Sequence, residues 1–132
     1  MNRLIDIGFR KVGEWKILSE SISPNLSDLA NSSNILYAFI FDGEALYVGK
    51  TTQTLKKRLY GYQKPGPSQF TNIKGNILLK ELLVEGKSVD IYALPDNGLH
   101  HFGAFHLNLA AGLEDSIITI LEPKWNGSLK KS

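Results

Sequence analysis

The chain has 132 residues, 42% of them hydrophobic and 21% charged, with a formal net charge of +2. That is the length of one ordinary globular domain, which at this size buries roughly two-thirds of its unfolded surface and needs no disulfide staple. Cysteine is absent, which excludes thiolate chemistry and Cys-based zinc sites and fits a reducing compartment. No run is apolar enough to span a membrane, and the N-terminus MNRLIDIGFRKVGEW carries charges where a signal peptide needs an apolar core, so the expectation is a cytoplasmic protein with no membrane partner.

Residues 1–34 read as an N-terminal arm packed on the domain. Within it, residues 9–18 can hold a strand ending in WKIL, with Trp15 and Ile17 on one face. Residues 19–34 are rich in Ser, Asn and Asp, contain a proline, and read as a loop. Residues 35–41, ILYAFIF, are apolar on both alternating faces, which predicts a strand covered on both sides. Asp42-Gly43-Glu44 is a turn signal, and residues 45–49 are the return strand. A two-residue turn sets Tyr37 opposite Val48, facing away from Tyr47. A three-residue turn pairs Phe39 with Tyr47 and Tyr37 with Gly49, so that both tyrosines share a face. The spacing alone leaves both registers open.

Thr51 or Thr52 can cap a helix running to about Gly61, with Leu55, Leu59 and Tyr62 toward the sheet. Arg58 lies one turn before Tyr62, and Lys56 and Lys57 lie further round. Residues 64–68, KPGPS, cannot continue a helix and read as a loop. Residues 72–85 predict a second helix, with Ile73, Ile77, Leu78, Leu82 and Leu79 as its buried side and Gly86 ending it. Residues 88–94 alternate like a strand. Residues 95–98 turn, and the stretch to His106 reads as a long loop. Residues 107–121 predict a third helix, ended by Pro123. One residue misfits there: Glu114 falls on the stripe of Leu107, Ala110, Ala111, Ile117, Ile118 and Leu121. Desolvating an unpartnered carboxylate costs several kcal/mol, so Glu114 calls for an ion pair or a metal at the edge of the core.

The charge is unevenly spread. Residues 50–80 hold Lys50, Lys56, Lys57, Arg58, Lys64, Lys74 and Lys80 and no Asp or Glu. Such a segment suits a polyanion, because each neutralised phosphate releases counterions; the bland alternative is a solvated helix face. Gly49-Lys50-Thr51 invites a phosphate-loop reading, but that pattern needs a glycine where Glu44 stands, so nucleotide hydrolysis is rejected. His100, His101 and His106 have loose spacing and no cysteine beside them, and read as ordinary loop histidines.

The ordered set Tyr37, Tyr47-Val48-Gly49, Lys50, Arg58, Tyr62 and Glu114 resembles the GIY-YIG nuclease family. Leu36-Tyr37-Ala38 keeps only the central tyrosine of the first motif, while Tyr47-Val48-Gly49 is close to the second. GKTTQTLKKRL is similar to the family's lysine and arginine-bearing helix. Pro123-Lys124-Trp125-Asn126 resembles the Pro-x-Trp-Asn ending of its restriction-enzyme-like, single-domain branch. The resemblance covers residues 35–127 and leaves 128–132 as a basic tail. It implies an α/β fold with a small, mainly antiparallel central sheet flanked by helices.

It also implies roles. Tyr37 serves as general base or orients the water; a free phenol, with pKa about 10, needs Lys50 and a metal close by to acidify it. Arg58 holds the non-bridging oxygens. Glu114 binds one Mg²⁺ (or Mn²⁺) that stabilises the leaving oxygen. Tyr47 and Tyr62 position phosphate or water, and Asn126 supports the site. Lys50, Lys56, Lys57, Arg58, Lys64 and Lys74 bind DNA. The function implied is a metal-dependent endonuclease on duplex DNA, with a homodimer as one route to double-strand cleavage. The rivals are a non-catalytic DNA-binding module of the same fold and an RNA-directed nuclease. This mechanism requires Tyr37 and Tyr47 on one face, and so favours the three-residue turn.

Overall fold

The structure, a computed structural model, describes residues 2–95, 101–102, 105–106 and 109–126. A short helix α1 (Asn2–Asp6) leads into β1 (Arg10–Leu18) and β2 (Ser21–Leu26). The hairpin β3 (Ile35–Phe41) and β4 (Glu44–Thr51) follows, then α2 (Leu55–Gln63), α3 (Phe70–Val84) and β5 (Val89–Pro95). The small pair β6 (His101–Phe102) and β7 (Phe105–His106) precedes α4 (Leu109–Leu121). Five strands form one antiparallel sheet in the order β2-β1-β5-β3-β4, with helices on both faces. The mixed α/β architecture expected from the sequence is the one observed. Residues 128–132 and His100 lie outside the described residues.

Alternation along β3 divides the core. Ile35, Tyr37 and Phe39 point into a cluster with Trp15 of β1, Leu55, Leu59 and Tyr62 of α2, Leu79 and Leu83 of α3, and Trp125. Leu36, Ala38 and Ile40 point the other way, into a cluster with Leu4 of α1, Val48, Leu94 and Ile117 of α4. A strand covered on both sides explains why ILYAFIF has no polar face.

Several sequence expectations change. The strand expected within residues 9–18 is β1, and the same N-terminal stretch supplies a second of the five strands. Its loop portion contains β2, which pairs with β1 in a register that sets Trp15 against Pro24. A proline argued against a strand there, but β2 is at the sheet's edge, where a missing N–H leaves no ladder bond unmade. The α2 helix begins at Leu55, not after Thr51 or Thr52. Thr51 ends β4, and Thr54 is the cap, its hydroxyl accepting from Lys57 N at 3.3 Å. Ser32 and Ala30 carbonyls accept from Leu55 and Lys56 N–H groups and so satisfy donors that the helix itself leaves open.

The hairpin turn is also corrected. Ile40 pairs with Ala45 and Phe41 with Glu44, so the loop is the two residues Asp42 and Gly43, not Asp42–Glu44. Both have positive φ, 52° and 78°, as a type I′ turn requires. Yet Phe39 pairs with Tyr47 and Tyr37 with Gly49, as the three-residue turn would have set them. A bulge between Phe39 and Ile40 supplies the missing residue: Leu46 has no partner of its own. One extra residue flips every side chain beyond it, and so brings Tyr47 to the face of Tyr37.

Candidate active site

Tyr37, Tyr47 and Tyr62 meet beneath the edge strand β4. Their ring centroids lie 6.2 to 6.5 Å apart, and all three are buried. Two glycines make this packing fit. A Cβ on Gly49 would come 2.7 Å from the Tyr37 hydroxyl and 2.8 Å from the Tyr47 ring, and a Cβ on Gly75 would come 2.7 Å from the Tyr62 ring. The Tyr37 and Tyr62 hydroxyls are 2.9 Å apart. Arg58, one turn before Tyr62, lies over that ring at 4.3 Å from its centroid and donates through Nη2 to its hydroxyl at 2.8 Å. The result is a chain from guanidinium to Tyr62 to Tyr37.

Arg58 has a second tether. Its Nη1 donates to Asn72 Oδ1 at 2.8 Å. Asn72 Nδ2 donates to Gln69 Oε1, which also accepts from the Gly66 N–H at 2.9 Å. The loop after α2 and the start of α3 therefore fix the fork. This arrangement explains the misjudged face of α3. Ile77 is 52% exposed, while Ile73, Leu78 and Leu82 are only half-buried; the buried residues are Asn72, Gly75, Leu79 and Leu83. The helix presents its polar and small positions inward because Arg58 needs Asn72 and the Tyr62 ring needs Gly75. Asn72 and Gln69 carried no sequence signal, since polar residues near a helix start are ordinary.

Burial pushes the Tyr37 phenol well above its usual pKa, and Arg58 recovers only part of that shift. Tyr62 rises for the same reason, with the neighbouring tyrosines adding to it. The chain's own cations therefore leave the Tyr37 phenol above its usual range. Lys50 cannot supply the missing charge: it is exposed and follows Gly49, so alternation turns it to the opposite face of β4. For Arg58, burial opposes the charge, but the facing tyrosine oxygens outweigh it and its pKa is raised.

Glu114 lies on α4, which packs on the opposite face of the sheet from the tyrosines. It is 7% exposed on α4, one turn before Ile117 and Ile118, which pack on the Leu36–Ala38–Val48 face. The end of α4 lies at the hairpin turn, where Leu121 and Glu122 share a cavity wall with Gly43, Glu44 and Ala45. Asn126 is buried beside β4. It accepts from Val48 N–H at 2.9 Å and donates to Val48 O at 2.8 Å, sealing the free edge of β4. Its role here is to hold the Tyr47-Val48-Gly49 segment, with Trp125 packed into the tyrosine-side core.

The sequence-predicted residues thus flank one strand. Tyr37, Tyr47, Tyr62 and Arg58 lie on one side of the sheet, and Lys50 and the helix that carries Glu114 lie on the other. Lys56, Lys57 and Lys64 are exposed on and after α2, and Lys74 is exposed on α3. Among the described residues no three acidic or histidine side chains gather as a metal cage, and no helix is long and apolar enough to cross a membrane.

No protein-family model matches the chain, and no curated protein matches it. Solved structures do. A mutant of bacteriophage T4 EndoII is similar over 95% of both chains, with a TM-score of 0.71 at 24% identity. The restriction endonuclease HPY188I, in complex with product DNA, is similar over 99% of this chain and 82% of its own, with a TM-score of 0.55 at 20% identity. At these identities the likeness is one of fold.

Proposed function

We propose that the chain is a GIY-YIG-type endonuclease that hydrolyses phosphodiester bonds of duplex DNA with a divalent metal, Mg²⁺ or Mn²⁺. The observation that carries this reading is the Arg58–Tyr62–Tyr37 chain beside Gly49, in which two buried phenols and a half-buried guanidinium are linked by hydrogen bonds. The likeness in fold to a restriction endonuclease solved with product DNA supports the same substrate.

Glu114 fits a metal of one kind. A single buried carboxylate makes no all-protein cage, but Mg²⁺ commonly takes one or two carboxylates and fills its remaining positions with water and substrate phosphate. When bound, the ion supplies charge stabilisation at the leaving oxygen. The chain's own groups do the rest. Arg58, fixed by Asn72 and Tyr62, keeps further N–H groups of its fork for the non-bridging oxygens. Tyr37, linked through the Tyr62 hydroxyl to Arg58, serves as general base or orients the attacking water. Lys50 meets the phosphate from the Glu114 side. Lys56, Lys57, Lys64 and Lys74 neutralise flanking phosphates.

Nicking of supercoiled plasmid tests the reading. Wild type should relax the plasmid with Mg²⁺ and not with EDTA, and Glu114→Gln should bind DNA but not cut it. Cutting retained in Glu114→Gln refutes the metal-ligand role. Binding without cutting by the wild type at any divalent metal favours the non-catalytic module. Preferential cutting of structured RNA favours the RNA-directed reading.

A further inference from the structure

We propose that the groove between β2 and α2 is a second nucleotide site, in which an unstacked base of the substrate rests on Tyr60 and the adjoining phosphates lie along Lys56 and Lys57. This rests on the nucleic-acid reading above and adds a subsite to it. Tyr60 stands on the outer side of α2, 52% exposed. Lys56 and Lys57 precede it by one turn and share its helix face, and Lys64, the C-cap, lines a groove with Lys57 and Tyr60.

Several cations elsewhere on the surface are already paired. Arg10, Lys11, Lys16 and Lys87 all sit against carboxylates. Lys56, Lys57 and Lys64 form no ion pair among the described residues. Two grooves flank their crest. One, of about 550 Å³, contains Arg58, Lys57, Tyr60 and Lys64. The other, of about 620 Å³, is walled by Pro24, Leu26 and Ala30 and edged by Asn25 and Gln63. Lys57 and Tyr60 belong to both, and neither groove is lined by a carboxylate.

A strand held at Arg58 can therefore cross the α2 crest into the β2 groove. There an apolar wall and an aromatic face receive a base, and amides meet its edge. Stacking on an exposed aromatic between cations is how single strands are held without a sequence code. The size is that of a small-ligand pocket, enough for one nucleotide.

The test uses an oligonucleotide carrying 2-aminopurine, single-stranded and in a gapped duplex, bound to the full chain in EDTA. Wild type and Tyr60→Phe should change the 2-aminopurine fluorescence. Tyr60→Ala should abolish that change and weaken binding about tenfold or more at an unaltered salt slope. Ala30→Phe, which fills the groove while leaving Tyr60 in place, should do the same. Equal binding and an equal fluorescence change in wild type, Tyr60→Ala and Ala30→Phe overturn the subsite. So does displacement of the oligonucleotide by polyglutamate as readily as by an unlabelled strand, since the lysines would then form a general anion surface. Circular dichroism confirms that each variant is folded. If wild type cuts plasmid but the groove variants bind normally, the subsite alone fails. If wild type neither binds nor cuts, the functional reading fails with it.

Discussion

Replacing Tyr62 by Phe removes one oxygen from the centre of the site and leaves the ring seated against Gly75. Two contacts go with that oxygen: the part-buried 2.8 Å bond from Arg58 and the buried 2.9 Å contact with Tyr37. A hydrogen bond involving a charged group contributes about 1.5–3 kcal/mol and a neutral one about 1 kcal/mol. The Asn72 tether survives, so Arg58 stays near its place and the loss is not compounded by an expelled charge. The expected destabilisation is about 2–4 kcal/mol, which for a chain of this size lowers Tm by roughly 10 °C. Thermal unfolding followed by circular dichroism measures it. Cutting should fall as well, because the guanidinium loses one of its two fixed points. Combining Tyr62→Phe with Asn72→Ala should cost more than the two singles added, since only the pair frees Arg58 completely. A Tm within about 1 °C of wild type, with unchanged cutting, would refute the view that Tyr62 anchors Arg58.

Other outcomes follow from the same geometry. Tyr37 and Tyr62 have raised pKa values in the fold, so they stay protonated where an unfolded tyrosine ionises. Their stabilising effect is present below about pH 10 and is lost as pH rises beyond it, at up to about 1.4 kcal/mol per pH unit for each. Urea unfolding across that range should show the slope, and Tyr37→Phe should reduce it. Gly49→Ala places a methyl against both tyrosines and should cost about 1–3 kcal/mol, with a comparable loss for Gly75→Ala. Asn126→Ala leaves the Val48 N–H and C=O at an open edge; a loss of about 1–3 kcal/mol in denaturant titration is expected, with slower cutting because the Tyr47-Val48-Gly49 segment loosens.

What the sequence made legible was the part written in periodicity and residue order. The β3–β4 hairpin was clear because both faces of β3 are apolar, and Glu114 stood out as the carboxylate on an otherwise apolar stripe. The register was legible in result but not in cause. Tyr37 and Tyr47 share a face through a bulge at Leu46, and nothing in LYVG marks which residue will lack a partner. β2 was hidden because Pro24 signals a break unless the strand is known to be at an edge, and edges are decided by the whole sheet. The inward face of α3 was misread because Asn72 and Gly75 answer to Arg58 and Tyr62, residues on another helix. The pKa of Tyr37 depends on how completely its neighbours close over it, which no local pattern records.

Arg58 is the proposed phosphate-holding group of a cutting site. The most direct measurement is the rate of plasmid nicking by wild type and Arg58→Ala at saturating protein with Mg²⁺, each compared with its own EDTA control. Metal-dependent nicking is expected of wild type, with a loss of about 100-fold or more in Arg58→Ala, the scale set by removing one preorganised donor to a developing charge. Equal nicking by the two proteins would contradict that role.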